Sequence, residues 1–99
     1  MKKRVYKLKS KIWLYPGMGG WNFLSVPPQV SEEISEKYTS LKKGWGSIRV
    51  EVKIDKTKWN TSIFPDKRSK TYLLPLKKQV RKICEISEGD VIEFSIKIL

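Results

Sequence analysis

The sequence contains no histidine and no alanine, and only one cysteine. Without histidine there is no imidazole to act as a general base near neutral pH or to ligate a metal. One thiol cannot form an intrachain disulfide, nor supply a zinc site of ordinary Cys/His spacing. No apolar run approaches the roughly 18 residues of a membrane-spanning helix. The basic start of the chain is interrupted by alternating lysines, which does not fit the apolar stretch of a signal peptide. The ten carboxylates show no paired pattern suited to acid–base catalysis or metal binding. These absences lead to the expectation of a soluble, cytoplasmic, non-enzymatic protein that uses no cofactor and has no membrane partner.

What is present is charge and apolar residues in alternation. Hydrophobic residues make up 39% of the 99 positions, enough for a packed core in one domain spanning residues 1–99. Lys and Arg number 21 against 10 acids, a formal net charge of +11. Lysine dominates, with 17 Lys to 4 Arg. Arginine is the better residue for bidentate phosphate and base contacts, so this excess points less strongly to nucleic acid than an Arg-rich one would. Its placement matters more than its total. Residues 1–11 hold six cations and no acid, and residues 77–82 hold four cations. Residues 85–97 hold Glu85, Glu88, Asp90 and Glu93 against Lys97. A polarised excess of this kind steers anionic partners.

Residues 5–15 alternate, with Tyr6, Leu8, Ile12 and Leu14 on one face and Lys7, Lys9 and Lys11 on the other. Period two predicts a half-buried strand. Residues 16–20, Pro-Gly-Met-Gly-Gly, make a turn, and the strand returns from Trp21 to Val26 as a hairpin. Pro27 and Pro28 open a helix whose stripe is Val30, Ile34, Tyr38 and Leu41. Glu32 and Glu33 near its start, with Lys37, Lys42 and Lys43 near its end, suit the helix dipole. After the break at Gly44-Trp45-Gly46, residues 47–54 alternate with Ile48, Val50, Val52 and Ile54 inward. The returning strand carries Trp59, Thr61 and Ile63 and is expected to stop at Pro65. Tyr72-Leu73-Leu74 is a short strand. A second helix follows, with Leu76, Val80, Ile83 and Cys84 as its apolar stripe. The last strand, 91–99, turns Ile92, Phe94, Ile96 and Ile98 inward. Val26-Pro27 with Gln29-Val30 parallels Leu74-Pro75 with Gln79-Val80, each followed by a helix, a glycine turn and an alternating strand. This repeat predicts two related halves around a pseudo-twofold axis, closing into a barrel without exposed edges.

Four ordered segments are distinctive. They are Trp13-Leu14-Tyr15-Pro16-Gly17-Met18-Gly19-Gly20-Trp21-Asn22-Phe23, Gly44-Trp45-Gly46-Ser47-Ile48, Thr61-Ser62-Ile63-Phe64-Pro65 and Tyr72-Leu73-Leu74-Pro75-Leu76-Lys77. Together they resemble the prokaryotic domain-of-unknown-function family numbered nineteen-oh-five, which is sometimes fused to a bacteriocin-protection domain. The resemblance implies a mainly β fold, a small closed double-split β-barrel of two pseudo-repeated halves with two short α-helices. It is a fold shared with swapped-hairpin transcription factors and antitoxins. The segment from Leu74-Pro75 through Arg81 to Gly89-Asp90 is similar to the hairpin unit of those DNA-binding proteins. Lys70 stands where the family usually has glycine. The resemblance implies no activity. Two halves in one chain supply what a second subunit gives in a swapped dimer, so a monomer is expected.

Two groups of residues are candidate sites. Lys7, Lys9 and Lys11, spaced about 6–7 Å apart along a strand, and Lys77 and Arg81, four apart on a helix, form a prospective surface for nucleic acid or another polyanion. Lysines on an edge strand also discourage aggregation, which is the structural alternative for the first three. Trp21, Trp45, Gly19 and Gly20 form a prospective mouth for a small molecule or partner protein, the alternative function. Cys84 lies on an apolar stripe and reads as a core thiol. A hydrolase would need Thr61 or Ser62 beside Lys77.

Overall fold

The computed structural model describes residues 5–17, 19–42, 44 and 46–99. Expectations that fall on residues 1–4, Met18, Lys43 and Trp45 therefore lie outside the described residues. The strands are β1 (Val5–Lys11), β2 (Trp13–Leu14), β3 (Asn22–Ser25), β4 (Ile48–Ile54), β5 (Thr57–Asp66), β6 (Thr71–Pro75) and β7 (Val91–Ile98). Helix α1 (Pro28–Lys37) joins β3 to β4 by way of a short 3-10 turn, Thr39–Leu41, and α2 (Lys78–Cys84) joins β6 to β7. All ladders are antiparallel, in the order β1-β7-β4-β5-β6-β3-β2.

The sheet curls around one apolar cluster. Leu24, Val26, Ile34, Ile48, Val50, Val52, Ile63, Leu74 and Ile96 are fully buried in it. The period-two residues of β4 and β7 point inward as their pattern requires. α1 buries Ile34, Tyr38 just past its end is buried too, and Val30 and Leu41 pack beside them. Pro28 sits in the first turn of α1, where a missing N–H is harmless. Glu32 and Glu33 lie beyond that turn. Glu33 instead pairs with Lys37 at 3.7 Å and accepts a 2.9 Å hydrogen bond from the Tyr6 phenol. Burial, and then this bond, push the Tyr6 phenol above its usual range.

The pairing pattern is unchanged when the two halves are exchanged. β3 pairs with β6 through Leu24 and Leu74, and β4 pairs with β7. β1 lies on β7 as the first part of β5 lies on β4, and β2 lies on β3 as the last part of β5 lies on β6. The Val26 N–H donates to the Tyr72 carbonyl and the Leu76 N–H to the Asn22 carbonyl, both at 2.9 Å. The correspondence reaches the helices. Ser31 Oγ donates to the Val26 carbonyl and Arg81 Nε to the Leu76 carbonyl, each five residues upstream. Ser31 Oγ also accepts from the buried Tyr72 N–H at 3.0 Å. Ser31→Ala would orphan that amide, and a loss of roughly 2 kcal/mol in chemical denaturation is expected.

Four expectations need correction. The sheet is a curled, open half-barrel rather than a closed barrel, with β1 and β2 as the two ends of the order. The reason lies at Ile12, which is fully buried and bonds to the turn before β7 rather than to a strand: its N–H donates to Asp90 and its carbonyl accepts from Gly89, each at 2.9 Å. The predicted strand 5–15 thus divides there, and side chains span the seam. Ser10 Oγ donates to the Ser25 carbonyl, and Trp13 Nε1 to Ser25 Oγ at 2.9 Å. Second, Leu14, at the end of a two-residue strand, is 42% exposed rather than buried. Third, β5 continues through Pro65 to Asp66. Beyond Ile63 it has left β4 and pairs with β6 alone, an edge where a residue lacking an N–H is tolerated. Fourth, Ile83 is 67% exposed, because α2 lays only Val80 and Cys84 on the core, with Leu76 and Ile86 flanking them. The loop 67–70 closes with Lys70 in the left-handed region (φ 58°), a conformation that suits glycine.

Candidate functional site

The connection between β2 and β3 is closed by the Tyr15 N–H donating to the Trp21 carbonyl at 3.1 Å. Gly17 and Gly20 hold positive φ, 80° and 82°, which a side chain would strain. Buried Asn22 fastens this turn to the second half of the molecule. Its Nδ2 donates to the Gly20 carbonyl at 3.0 Å, while its own carbonyl accepts from Leu76 at the entry to α2. The glycine turn and the basic helix, more than fifty residues apart in sequence, are thereby brought face to face.

Between them lies a cleft of about 270 Å³ lined by Gly19, Gly20, Trp21, Asn22, Pro75, Leu76, Lys77, Lys78 and Arg81. Lys77 and Lys78 are exposed. Arg81 is half-buried, and its bond to the Leu76 carbonyl orients the guanidinium along the start of the helix. Trp21 is 51% exposed and stacks on Phe23, with ring planes 19° apart and centroids at 6.0 Å. One exposed ring beside three cations can take an aromatic group and an anion together.

Two candidate groups from the sequence are therefore merged, and one is split. Gly19, Gly20 and Trp21 share the cleft with Lys77 and Arg81, whereas Trp45 lies outside the described residues. Lys7, Lys9 and Lys11 are elsewhere, on the outer face of β1. They are also not remote from the acidic last strand, as the charge distribution had implied. β7 is the partner of β1, and Lys9 sits directly opposite Glu93. Lys7 and Lys9 border a shallow depression with Lys53, Asp55 and Glu93. Ser62 lies on β5 opposite Arg49, whose Nη1 donates to its hydroxyl at 3.4 Å. Lys77 lines the cleft at the other half of the sheet. Asn22 went unrecognised as a site residue because its role depends on a bond to Leu76 that sequence spacing does not encode. A larger groove of about 710 Å³ runs between α1 and the loop 67–70, lined among others by Glu32, Glu36, Asp66, Lys67 and Lys70. It occupies the place in the first half that the basic cleft occupies in the second, but with acids on its helix.

Comparison with known proteins bears on the whole of this architecture. Residues 9–96 match the model of the family described as Domain of unknown function (DUF1905). The chain belongs to that family. None of the curated proteins compared matches it. The DUF1905 match includes the glycine turn, both helices and every strand except the start of β1 and the end of β7, so the cleft lies wholly within the family's domain. Among the described residues, no helix is long and apolar enough to cross a membrane, and no group of three His, Cys, Asp or Glu side chains is placed to hold a metal.

Proposed function

We propose that this DUF1905 domain is a non-enzymatic binding module for nucleic acid or another polyanion, and that its contact site is the cleft of Trp21, Lys77, Lys78 and Arg81. The observation that carries this reading is the meeting of an exposed, stacked tryptophan with three cations across a turn locked by Asn22. Neutralising phosphates with fixed cations releases counterions, so affinity has to fall as salt rises. The expected slope of log affinity against log salt is about −2 for a single strand held by three cations. A titration of a fluorescent oligonucleotide, starting at about 50 mM salt, measures it. Undetectable binding at the lowest salt would remove the proposal.

The outer face of β1 is assigned a lesser part. Lys9 faces Glu93 across the ladder, which partly cancels its charge. Replacing Lys7, Lys9 and Lys11 together by glutamine is expected to weaken oligonucleotide binding by less than about threefold at about 150 mM salt, where long-range attraction is screened. A tenfold loss in the same titration would return these lysines to the contact site.

The alternative of a small-molecule mouth at the same turn is less well supported. At about 270 Å³ the cleft is smaller than the roughly 300–1,000 Å³ typical of small-molecule pockets. The exchangeable pairing of the two halves supports reading them as copies of one β-β-α-β unit, the organisation of a double-split barrel. A chain that holds both copies supports a monomer.

A further inference from the structure

One wall of the cleft, Trp21, is the first of a row of aromatic side chains. Trp21, at its rim, stacks on Phe23. The Phe23 ring meets Tyr15 edge-on at 5.7 Å, and Trp13 lies 5.5 Å from Tyr15 and 5.7 Å from Phe23. Arg68, exposed on the loop between β5 and β6, places its guanidinium 5.3 Å from the Tyr15 ring centre. Phe23 is buried beneath its neighbours, and Trp13 and Tyr15 are half-exposed. Cross-strand pairing puts Trp13 and Phe23 on one face of the sheet, the side away from the core cluster. An apolar core does not need these rings there. Rings with cations at both ends, Lys77, Lys78 and Arg81 at one and Arg68 at the other, offer stacking faces to the bases and counter-charges to the phosphates of an unpaired strand.

We infer that the ligand is single-stranded nucleic acid, drawn from the cleft along this row so that bases stack on Trp21 and on the Trp13–Tyr15 pair and a second phosphate reaches Arg68. This rests on the proposed function of the cleft and deepens it. A duplex buries its base faces in its own stack and offers nothing to the row. Three steps of 5.3–6.0 Å lead from Trp21 by Phe23 and Tyr15 to Arg68, so a strand of about four nucleotides, the small end of single-strand sites, is long enough to reach across.

Fluorescence anisotropy with labelled thymidine oligonucleotides of two, four and eight residues tests the inference, on the intact chain and on Arg68→Gln. Arg68 is exposed, so that variant is expected to fold. Affinity is expected to rise about tenfold from two to four residues and to change little from four to eight. Arg68→Gln is expected to lower four-residue affinity about fivefold and to leave the two-residue value unchanged. Equal affinity for two and four residues with Arg68→Gln indifferent would overturn the row and leave the cleft standing. Duplex bound as tightly as single strand would also overturn it. Failure of every oligonucleotide to bind would overturn the cleft itself.

Discussion

Charge reversal of two lysines, Lys77→Glu with Lys78→Glu, is expected to lower affinity for a single-stranded oligonucleotide by about 100-fold at about 50 mM salt. Each charge-assisted hydrogen bond to a phosphate is worth roughly 1.5 kcal/mol, and two of them make about two decades in affinity. Repulsion by the new carboxylates adds to the loss. Both lysines are exposed. They lie at the start of α2, where acidic side chains are tolerated well, so the variant is expected to keep its denaturation midpoint. Anisotropy titration beside a denaturant curve separates the two effects. A fall of less than threefold in a stably folded variant would show that the cleft is not where the strand binds.

The largest effect on stability is expected from Leu74→Ala. Leu74 is fully buried and pairs with Leu24 at the centre of the contact between the two halves. Truncation removes about three buried carbons and leaves a void in a close-packed interior, at a cost of roughly 3–4 kcal/mol. A domain of this size has about 5–15 kcal/mol of total stability. The midpoint of urea denaturation should therefore fall steeply while the slope is unchanged. Ile83→Ala is the control. Ile83 is 67% exposed, so its truncation is expected to change stability by less than about 0.5 kcal/mol. Comparable losses from the two variants would mean that α2 presents a different face to the core.

The contrast between these two residues shows how far the pattern of apolar residues reaches. β4 and β7 were legible because a strand in a half-buried sheet has a strict period of two, and Ile48 to Ile54 and Ile92 to Ile98 obey it without a break. α1 was legible because Val30, Ile34 and Tyr38 recur at helical spacing through it and just past its end. The seven residues of α2 are too few for the stripe to have one reading. Ile83 fits a helical face on paper, yet the helix enters from Leu76, and that entry sets which side meets the sheet. The first strand departs from its pattern for a similar reason. Ile12 is as apolar as an uninterrupted strand requires, and nothing local announces that its hydrogen bonds go to Gly89 and Asp90.

The candidate site divides along the same line. Gly19, Gly20 and Trp21 stood out by their turn chemistry, and Lys77 and Arg81 by their crowding on one helix. Their union could not be read, because it depends on the antiparallel pairing of β3 with β6 and on the Asn22 carbonyl meeting the Leu76 N–H. The same pairing rules set Lys9 across from Glu93 and turned a supposed separation of charge into a neighbour relation.

The sequence alone determined the two helices, the strands β4, β6 and β7, the inward residues of β4 and β7, and the family resemblance. Each follows from local periodicity or from ordered motifs. Only the tertiary structure decided that the barrel stays open at Ile12, that one of two basic groups joins the glycine turn, and that an aromatic row leads away from the cleft. Those outcomes follow from which backbone amide meets which carbonyl across distant segments, a matter of register between strands that composition and spacing leave free.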